Sequence, residues 1–244
     1  MRLLEVAGLS KSFGGLQAVK NLSFAVDTGG VVGLIGPNGA GKTTVFGLVS
    51  GFIQPDGGDV RFRGRSVAGV PPHRLCAAGL VRTFQIVRPF PHLTVLRNVT
   101  VGALARHPRR RDAEARARAV LEEVGLAAKA AQPAGALTLA ERKRLELARA
   151  LATEPALLLL DEVMAGLNDS ETARIVELVR AINARGVAVL LIEHVMRAVM
   201  ALSQRIVVIN YGERIAEGRP EDVANDPRVI EAYLGEAYAG TPPG

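Results

Sequence analysis

The sequence predicts an α/β fold in which a mostly parallel sheet follows N-terminal antiparallel strands and is interrupted by an inserted helical subdomain. Three observations predict it. The runs VVGLIG (31–36), ALLLLDE (156–162) and VAVLLIEH (187–194) are short and apolar throughout, as strands covered on both faces are. The amphipathic stretch ETARIVELVRAINARG (171–186) lies between the last two, and strands alternating with helices close into a parallel sheet. The block from 88 to 152 contains helical patterns only. A single domain over 1–244 follows, with 1–87 and 153–244 as its core and 88–152 as the helical subdomain.

Element by element, LLEVAGL, LQAVKNLSFAV and GDVRFRG alternate like strands and are separated by turn residues, with VVGLIG as a central strand. LVRTF (80–84) is strand-like. VTVGALARH (99–107) and EARARAVLEEVGL (114–126) have helical spacing, and Gly125 is placed to end the second helix. Gly186 is the expected stop of the 171–186 helix. RIVVINYGERIAEG reads as a hairpin turning at Tyr211-Gly212, and PEDVANDPRVIEAYLGEA as a closing pair of short helices.

Composition narrows the function classes. The longest apolar runs, ALLLL and VAVLLI, fall far short of the ~18–20 residues that span a bilayer. The N-terminus MRLLEVAGLS lacks the apolar core of a secretion signal. The single cysteine, Cys76, allows no internal disulfide and fits a small buried apolar role in a reducing compartment. A cytoplasmic protein is expected. The net charge of +6 permits contact with nucleic acid or anionic lipid. Arg106, Arg109, Arg110 and Arg111 cluster, but with 4% aromatics and none in that run there is no platform on which bases could stack. The cluster reads as a solvated linker, with a surface for lipid headgroups or a protein as the alternative. No nucleic-acid partner is expected.

Directly after VVGLIG comes GPNGAGKTT, from Gly36 through Asn38, Gly39, Ala40, Gly41, Lys42 and Thr43 to Thr44. This is a G-x-x-x-x-G-K-[ST] phosphate loop, with the buried strand before it and the helix-compatible TVFGLVSG after it that such a loop requires. Glycines let successive N–H groups face one concavity, Lys42 brings a point charge to the β- and γ-phosphates, and Thr43 offers a hydroxyl to Mg²⁺. By chance the pattern arises in roughly one unrelated chain of this length in a hundred. ALLLLDE then delivers two acids to a strand end, which costs stability unless they are used. Asp161 is the candidate Mg²⁺ ligand, and Glu162 is placed to orient or deprotonate an attacking water. His194 could reach a γ-phosphate, Gln85 could serve metal or water, and Phe13 could stack on adenine. As single residues, each has an ordinary reading as a core histidine, a surface glutamine and a core aromatic.

Together these residues, in this order, resemble the ATP-binding subunits of ABC transporters over essentially the whole chain. Phe13 matches the aromatic loop, GPNGAGKTT the Walker A sequence, Gln85 the Q-loop, and LLLLDE the Walker B strand with Glu162 as catalytic glutamate. Gly166–Asp169 falls at the D-loop and His194 at the switch histidine. The resemblance also implies Val19 as a nucleotide contact. LTLAE (137–141) aligns with the LSxGQ signature, through which one subunit closes over ATP held by another. Thr138 keeps the hydroxyl, Ala140 replaces the glycine, and Glu141 replaces the glutamine. T-x-x-E also spells a capping box, which would turn Glu141 back onto the backbone. Val163 stands where the family usually has proline, Asn168 replaces the D-loop aspartate, and Asp169 the proline after it.

The fold implied is a phosphate-loop NTPase core with the signature in its helical subdomain. FGGLQAV, VRTFQ, AGLN-x-x-ET, LLIEH-x-M-x-x-VM and NDP-x-VI-x-AYLGEA resemble the branch serving importers of branched-chain amino acids. The neighbouring readings are lipopolysaccharide export and urea or amide import; a soluble ABC ATPase acting on nucleic acid, or a small-molecule kinase, lies further off. The resemblance implies ATP and Mg²⁺ as cofactors and a second ATPase subunit, identical or related. It also implies membrane permease subunits, with a periplasmic binding protein acting indirectly, and a position on the inner face of the cell membrane. The block after Gln85, including PFPHLTVLRN, is expected to receive coupling helices from the permeases.

Overall fold

The computed structural model describes residues 1–85 and 88–239. Two sheets form. The first is antiparallel and contains β1 (Arg2–Phe13), β2 (Leu16–Asp27), β4 (Gly57–Phe62) and β5 (Arg65–Ser66), in the order β2-β1-β4-β5. The second contains β3 (Val31–Ile35), β6 (Leu80–Arg82), β7 (Leu157–Asp161), β8 (Ala188–Ile192), β9 (Arg205–Asn210) and β10 (Glu213–Gly218), in the order β10-β9-β3-β8-β7-β6. Every pairing in it is parallel except β10 with β9. The mostly parallel core and the antiparallel N-terminal strands are therefore both present.

The all-apolar strands are explained by two cores. Val32 and Leu34 of β3, with Leu157, Leu159, Leu190, Val207 and Ile209, pack against β1, β2 and α1 (Lys42–Val49). Their alternating neighbours Val31, Ile35, Leu158, Leu160, Val189, Leu191, Ile206 and Val208 pack on the opposite side, among the helices. A period of two with both faces buried leaves no room for polar residues.

The helices of the middle block are α3 (Val95–Ala103), α4 (Arg110–Glu123) and α5 (Leu139–Leu151), followed after β7 by α6 (Asp169–Ala184). Helix α3 begins four residues before the expected start at Val99, because Thr94 accepts the Arg97 N–H as its N-cap. The buried Asn98 amide then ties down the preceding loop, bonding Phe90 through both its N–H and its C=O. Gly125 and Gly186 lie just beyond α4 and α6 with φ of 67° and 91°, the left-handed stop that glycine adopts most readily. Strand β1 runs on to Phe13 through register shifts, beyond the Leu9 end that its alternation suggested. LVRTF yields a strand of only three residues. The helices α2 (Pro72–Ala78) and α7 (Met196–Leu202) had no strong sequence signal. The closing pair is α8 (Pro220–Ala224) and α9 (Pro227–Ala239). The expected boundary at residue 87 falls outside the described residues.

The hairpin turns where expected, with Tyr211 and Gly212 at φ of 45° and 81° between paired Asn210 and Glu213. Its tip is pinned: Gly212 N–H donates to the Ala40 carbonyl and Lys20 N–H to the Gly212 carbonyl. No described helix is long and apolar enough to cross a membrane. Arg110 pairs with Glu114 and Arg106 donates to the Thr153 carbonyl, so at least these two arginines of the cluster have partners within the chain. Cys76 is half-buried, and desolvation pushes its thiol pKa up.

Candidate functional site

The strand β3 ends at the loop 36–41, and α1 starts at Lys42 with Gly41 as its cap residue. The loop is sterically committed. A Cβ on Gly36 would lie 2.0 Å from the Ile209 carbonyl oxygen, and one on Gly41 2.4 Å from that of Ala18. Lys42 Nζ donates to the carbonyls of Gly36 (2.7 Å) and Pro37 (2.8 Å), closing the loop on itself. The loop, the first turn of α1, Phe13, Lys20, Glu162, His194 and Tyr211 line one cleft of about 570 Å³. Asn38, Gly39, Ala40, Thr43 and Thr44 lie in its wall, and Phe13 is 48% exposed at its rim with Lys11 Nζ 5.5 Å from the ring centre.

Val19 is not in that wall. Alternation along β2 turns Val19 fully into the core while Ala18 and Lys20 line the cleft, so the side chain expected to contact nucleotide is a packing residue beneath it.

Across the cleft, β7 ends at Asp161, whose carboxylate is 3% exposed and accepts from Arg82 Nη2 at 2.7 Å. Glu162 follows with φ 48° and turns its side chain into the cleft. Its Oε2 accepts from Gln85 Nε2 at 2.6 Å, and its Oε1 lies 2.8 Å from His194 Nε2. Three residues far apart in sequence, Gln85, Glu162 and His194, are thus joined in one chain of contacts facing the phosphate loop.

The comparisons with known proteins agree with this geometry. A family model described as ABC transporter matches residues 19–165, and one described as branched-chain amino acid ATP-binding cassette transporter matches residues 213–239. The chain is 45% identical to the high-affinity branched-chain amino acid transport ATP-binding protein BraF of Pseudomonas aeruginosa, covering 96% of this chain and 98% of that one. It is 44% identical to LivG of Escherichia coli over the same shares. Among solved structures, a nucleotide-free ATP-binding cassette from an ABC transporter superposes with a TM-score of 0.88 at 31% identity, covering 96% and 99% of the two chains. A cassette in its ADP conformation scores 0.88 as well.

The chain belongs to the ABC transporter ATPase family.

The cassette therefore binds and hydrolyses ATP. The segment that aligns with the signature borders a different hollow from the cleft. Thr138, Ala140 and Glu141 border a separate hollow of about 120 Å³ with Arg144, Glu171 and Arg174. The capping box is formed: Glu141 N–H donates to Thr138 Oγ1 (3.4 Å) and Thr138 N–H to Glu141 Oε2 (3.0 Å). Lys129 Nζ is 2.5 Å from Glu141 Oε1 and, as the largest cause, holds that carboxyl below its usual range. The acid in place of glutamine is thus bonded at both oxygens within its own chain. Asn168 has a parallel explanation. It is the N-cap of α6 in a second capping box with Glu171.

Sequence reasoning overlooked the cassette's supporting groups. Arg82 sat unremarked inside VRTFQ, yet it is the partner of Asp161 and lies 5.5–5.9 Å from the ring centres of Phe46, Phe52 and Phe84. Glu193, next to His194, is 3% exposed and accepts the Met164 N–H at 2.9 Å. Burial, seconded by the nearby Glu162 charge, pushes its carboxyl up to about 7 against the Met164 bond and the Lys143 charge. A raised acid contributes stability that is fully present below its unfolded value near 4.5 and lost as pH rises through about 7. The melting temperature is therefore expected to fall between pH 5 and pH 7.5 by about 5 °C more in wild type than in Glu193→Gln. Parallel melting curves across that range would disprove the assignment.

Proposed function

We propose that the cassette is the ATP-hydrolysing subunit of an importer of branched-chain amino acids, working as a head-to-tail dimer beneath membrane permease subunits. The observation that carries this reading is the Gln85–Glu162–His194 chain facing a phosphate loop, in a chain similar over nearly its whole length to transport proteins named for that substrate. The 213–239 match at the C-terminal end favours that branch over the export alternative.

In this reading the loop N–H groups and the N-terminus of α1 bind the phosphates, with Lys42 supplying positive charge. Phe13 offers its exposed ring to the base. Among the described residues no three His, Cys, Asp or Glu side chains are gathered to hold a metal by themselves. Thr43, exposed in the cleft wall, would with Gln85 and Asp161 hold a Mg²⁺ that takes its other ligands from phosphate and water. When bound, Mg²⁺ neutralises charge on the β- and γ-phosphate oxygens. Asp161, nearly buried against Arg82, suits a water-bridged role. Glu162 takes the proton of the attacking water as its oxygen bonds to the γ-phosphorus and the bond to ADP breaks. His194 holds Glu162 from the other side through Nε2, and the same nitrogen, released from Glu162, would donate to the γ-phosphate.

Thr138, Ala140 and Glu141 border a hollow separate from the cleft of their own chain, and in this reading they serve the cleft of a second ATPase subunit, identical or related. The exposed Phe52, Phe84 and Phe90, the first two packed edge to face at 5.6 Å, offer the permeases an apolar docking surface. In this reading the cassette sits on the cytoplasmic face of the membrane, with the periplasmic binding protein acting through the permeases. The test is reconstitution with the permease subunits and a binding protein. ATP hydrolysis stimulated several-fold by leucine, isoleucine or valine is expected. Equal stimulation by unrelated amino acids, or none by these, would overturn the substrate assignment.

A further inference from the structure

Helix α5 does more than present Thr138. Three of its side chains, Lys143, Glu146 and Arg149, recur at intervals of three residues, and each bonds the main chain of the segment that carries Gln85. Glu146 Oε1 accepts the Phe84 N–H at 2.6 Å, Lys143 Nζ donates to the Gln85 carbonyl at 3.3 Å, and Arg149 Nη1 donates to the Arg88 carbonyl at 3.1 Å. Lys143 also donates to the Glu162 carbonyl at 2.9 Å. Lys143 is 3% exposed and Glu146 8%.

An ammonium this deeply buried is tolerated only when its hydrogens are bonded. Here two of those bonds go to the carbonyls of Gln85 and Glu162, the residues whose side chains meet at 2.6 Å. Glu162 needs such support, because at φ 48° it holds a left-handed conformation that non-glycine residues seldom occupy. Its N–H is fixed by the Ile192 carbonyl and its C=O by Lys143, so both ends of the strained residue are held.

We propose that Lys143 is a positioning residue for hydrolysis: from the signature helix of the same chain, it fixes the backbone of Glu162 and Gln85 so that the Glu162 carboxylate stands in the cleft. The inference rests on Glu162 being the general base. It makes the signature helix and the hydrolytic pair one mechanical unit, since Lys143, Gln85 and Glu162 close a ring of three bonds. Displacement of α5 then displaces the base.

The experiment compares Lys143→Met, Lys143→Arg and Glu162→Gln in the full chain, measuring kcat and KM for MgATP, equilibrium nucleotide binding and melting temperature. Methionine keeps the stem length and removes the ammonium. Lys143→Met is expected to lower kcat at least ~30-fold with KM and nucleotide affinity changed less than ~2-fold, and Lys143→Arg to return kcat to within ~3-fold of wild type. A Lys143→Met variant turning over within ~2-fold of wild type, while Glu162→Gln is inactive, would overturn the positioning role and leave the base reading standing. Nucleotide binding lost in step with kcat, or unfolding without rescue by arginine, would overturn it in favour of a purely structural lysine. An active Glu162→Gln would remove the base reading itself, and the inference with it.

Discussion

Glu162→Gln is expected to bind MgATP as wild type does and to hydrolyse it at least ~100-fold more slowly, the usual contribution of a positioned general base being 10²–10⁴-fold. The structure explains why the loss should be so selective. The amide oxygen of glutamine still accepts from Gln85 Nε2, so the 2.6 Å bond that aims the side chain is retained. What disappears is the capacity to take a proton. The phosphate loop is closed by its own carbonyl bonds to Lys42 and pinned by the hairpin tip at Gly212, and none of these bonds involves Glu162. Phosphate release at saturating MgATP, set against equilibrium binding of a fluorescent nucleotide, separates the two effects. The variant is further expected to accumulate as an ATP-dependent dimer in size-exclusion chromatography. Turnover within a few-fold of wild type would refute the assignment of the base, and a parallel loss of binding would recast Glu162 as a nucleotide contact.

Arg82→Met should produce the largest loss of stability, about 3–5 kcal/mol, read from the urea unfolding midpoint of the nucleotide-free protein. The guanidinium is 10% exposed and the Asp161 carboxylate 3%, with 2.7 Å between them. Removing the cation leaves a buried carboxylate uncompensated at the end of a central strand. Methionine fills much of the space among the rings of Phe46, Phe52 and Phe84 but supplies no charge. Adding Asp161→Asn should recover most of the loss, because a neutral amide is far cheaper to bury than a lone charge. If the single variant unfolds within 1 kcal/mol of wild type, or the double variant is no better than the single, the pair does not have the electrostatic role assigned to it.

How much of this was legible in the sequence follows from what sets each feature. The phosphate loop was legible because its chemistry is local. Gly36 and Gly41 have no room for a Cβ, and Lys42 reaches back only five or six residues to its carbonyl partners. The capping box at Thr138 was legible for the same reason, since donor and acceptor are three residues apart. The two apolar faces of β3, β7 and β8 announced buried parallel strands. Val19 was misplaced because a motif correspondence says nothing about which face of β2 a residue occupies, and the alternation sent it inward. Helix α3 began early because one threonine cap outweighed the weak periodicity of its first turn.

The sequence by itself determined the triphosphate loop, the acidic strand end, the α/β architecture and the family, because each is written in contiguous residues whose local geometry has few solutions. Only the tertiary structure decided that Arg82 balances Asp161, that Gln85 and His194 meet on the two oxygens of Glu162, and that Lys143 holds the backbone beneath them. These are contacts between a buried charge and whichever distant group the packing brings to it. A charged residue in a sequence does not reveal which partner will make its burial tolerable.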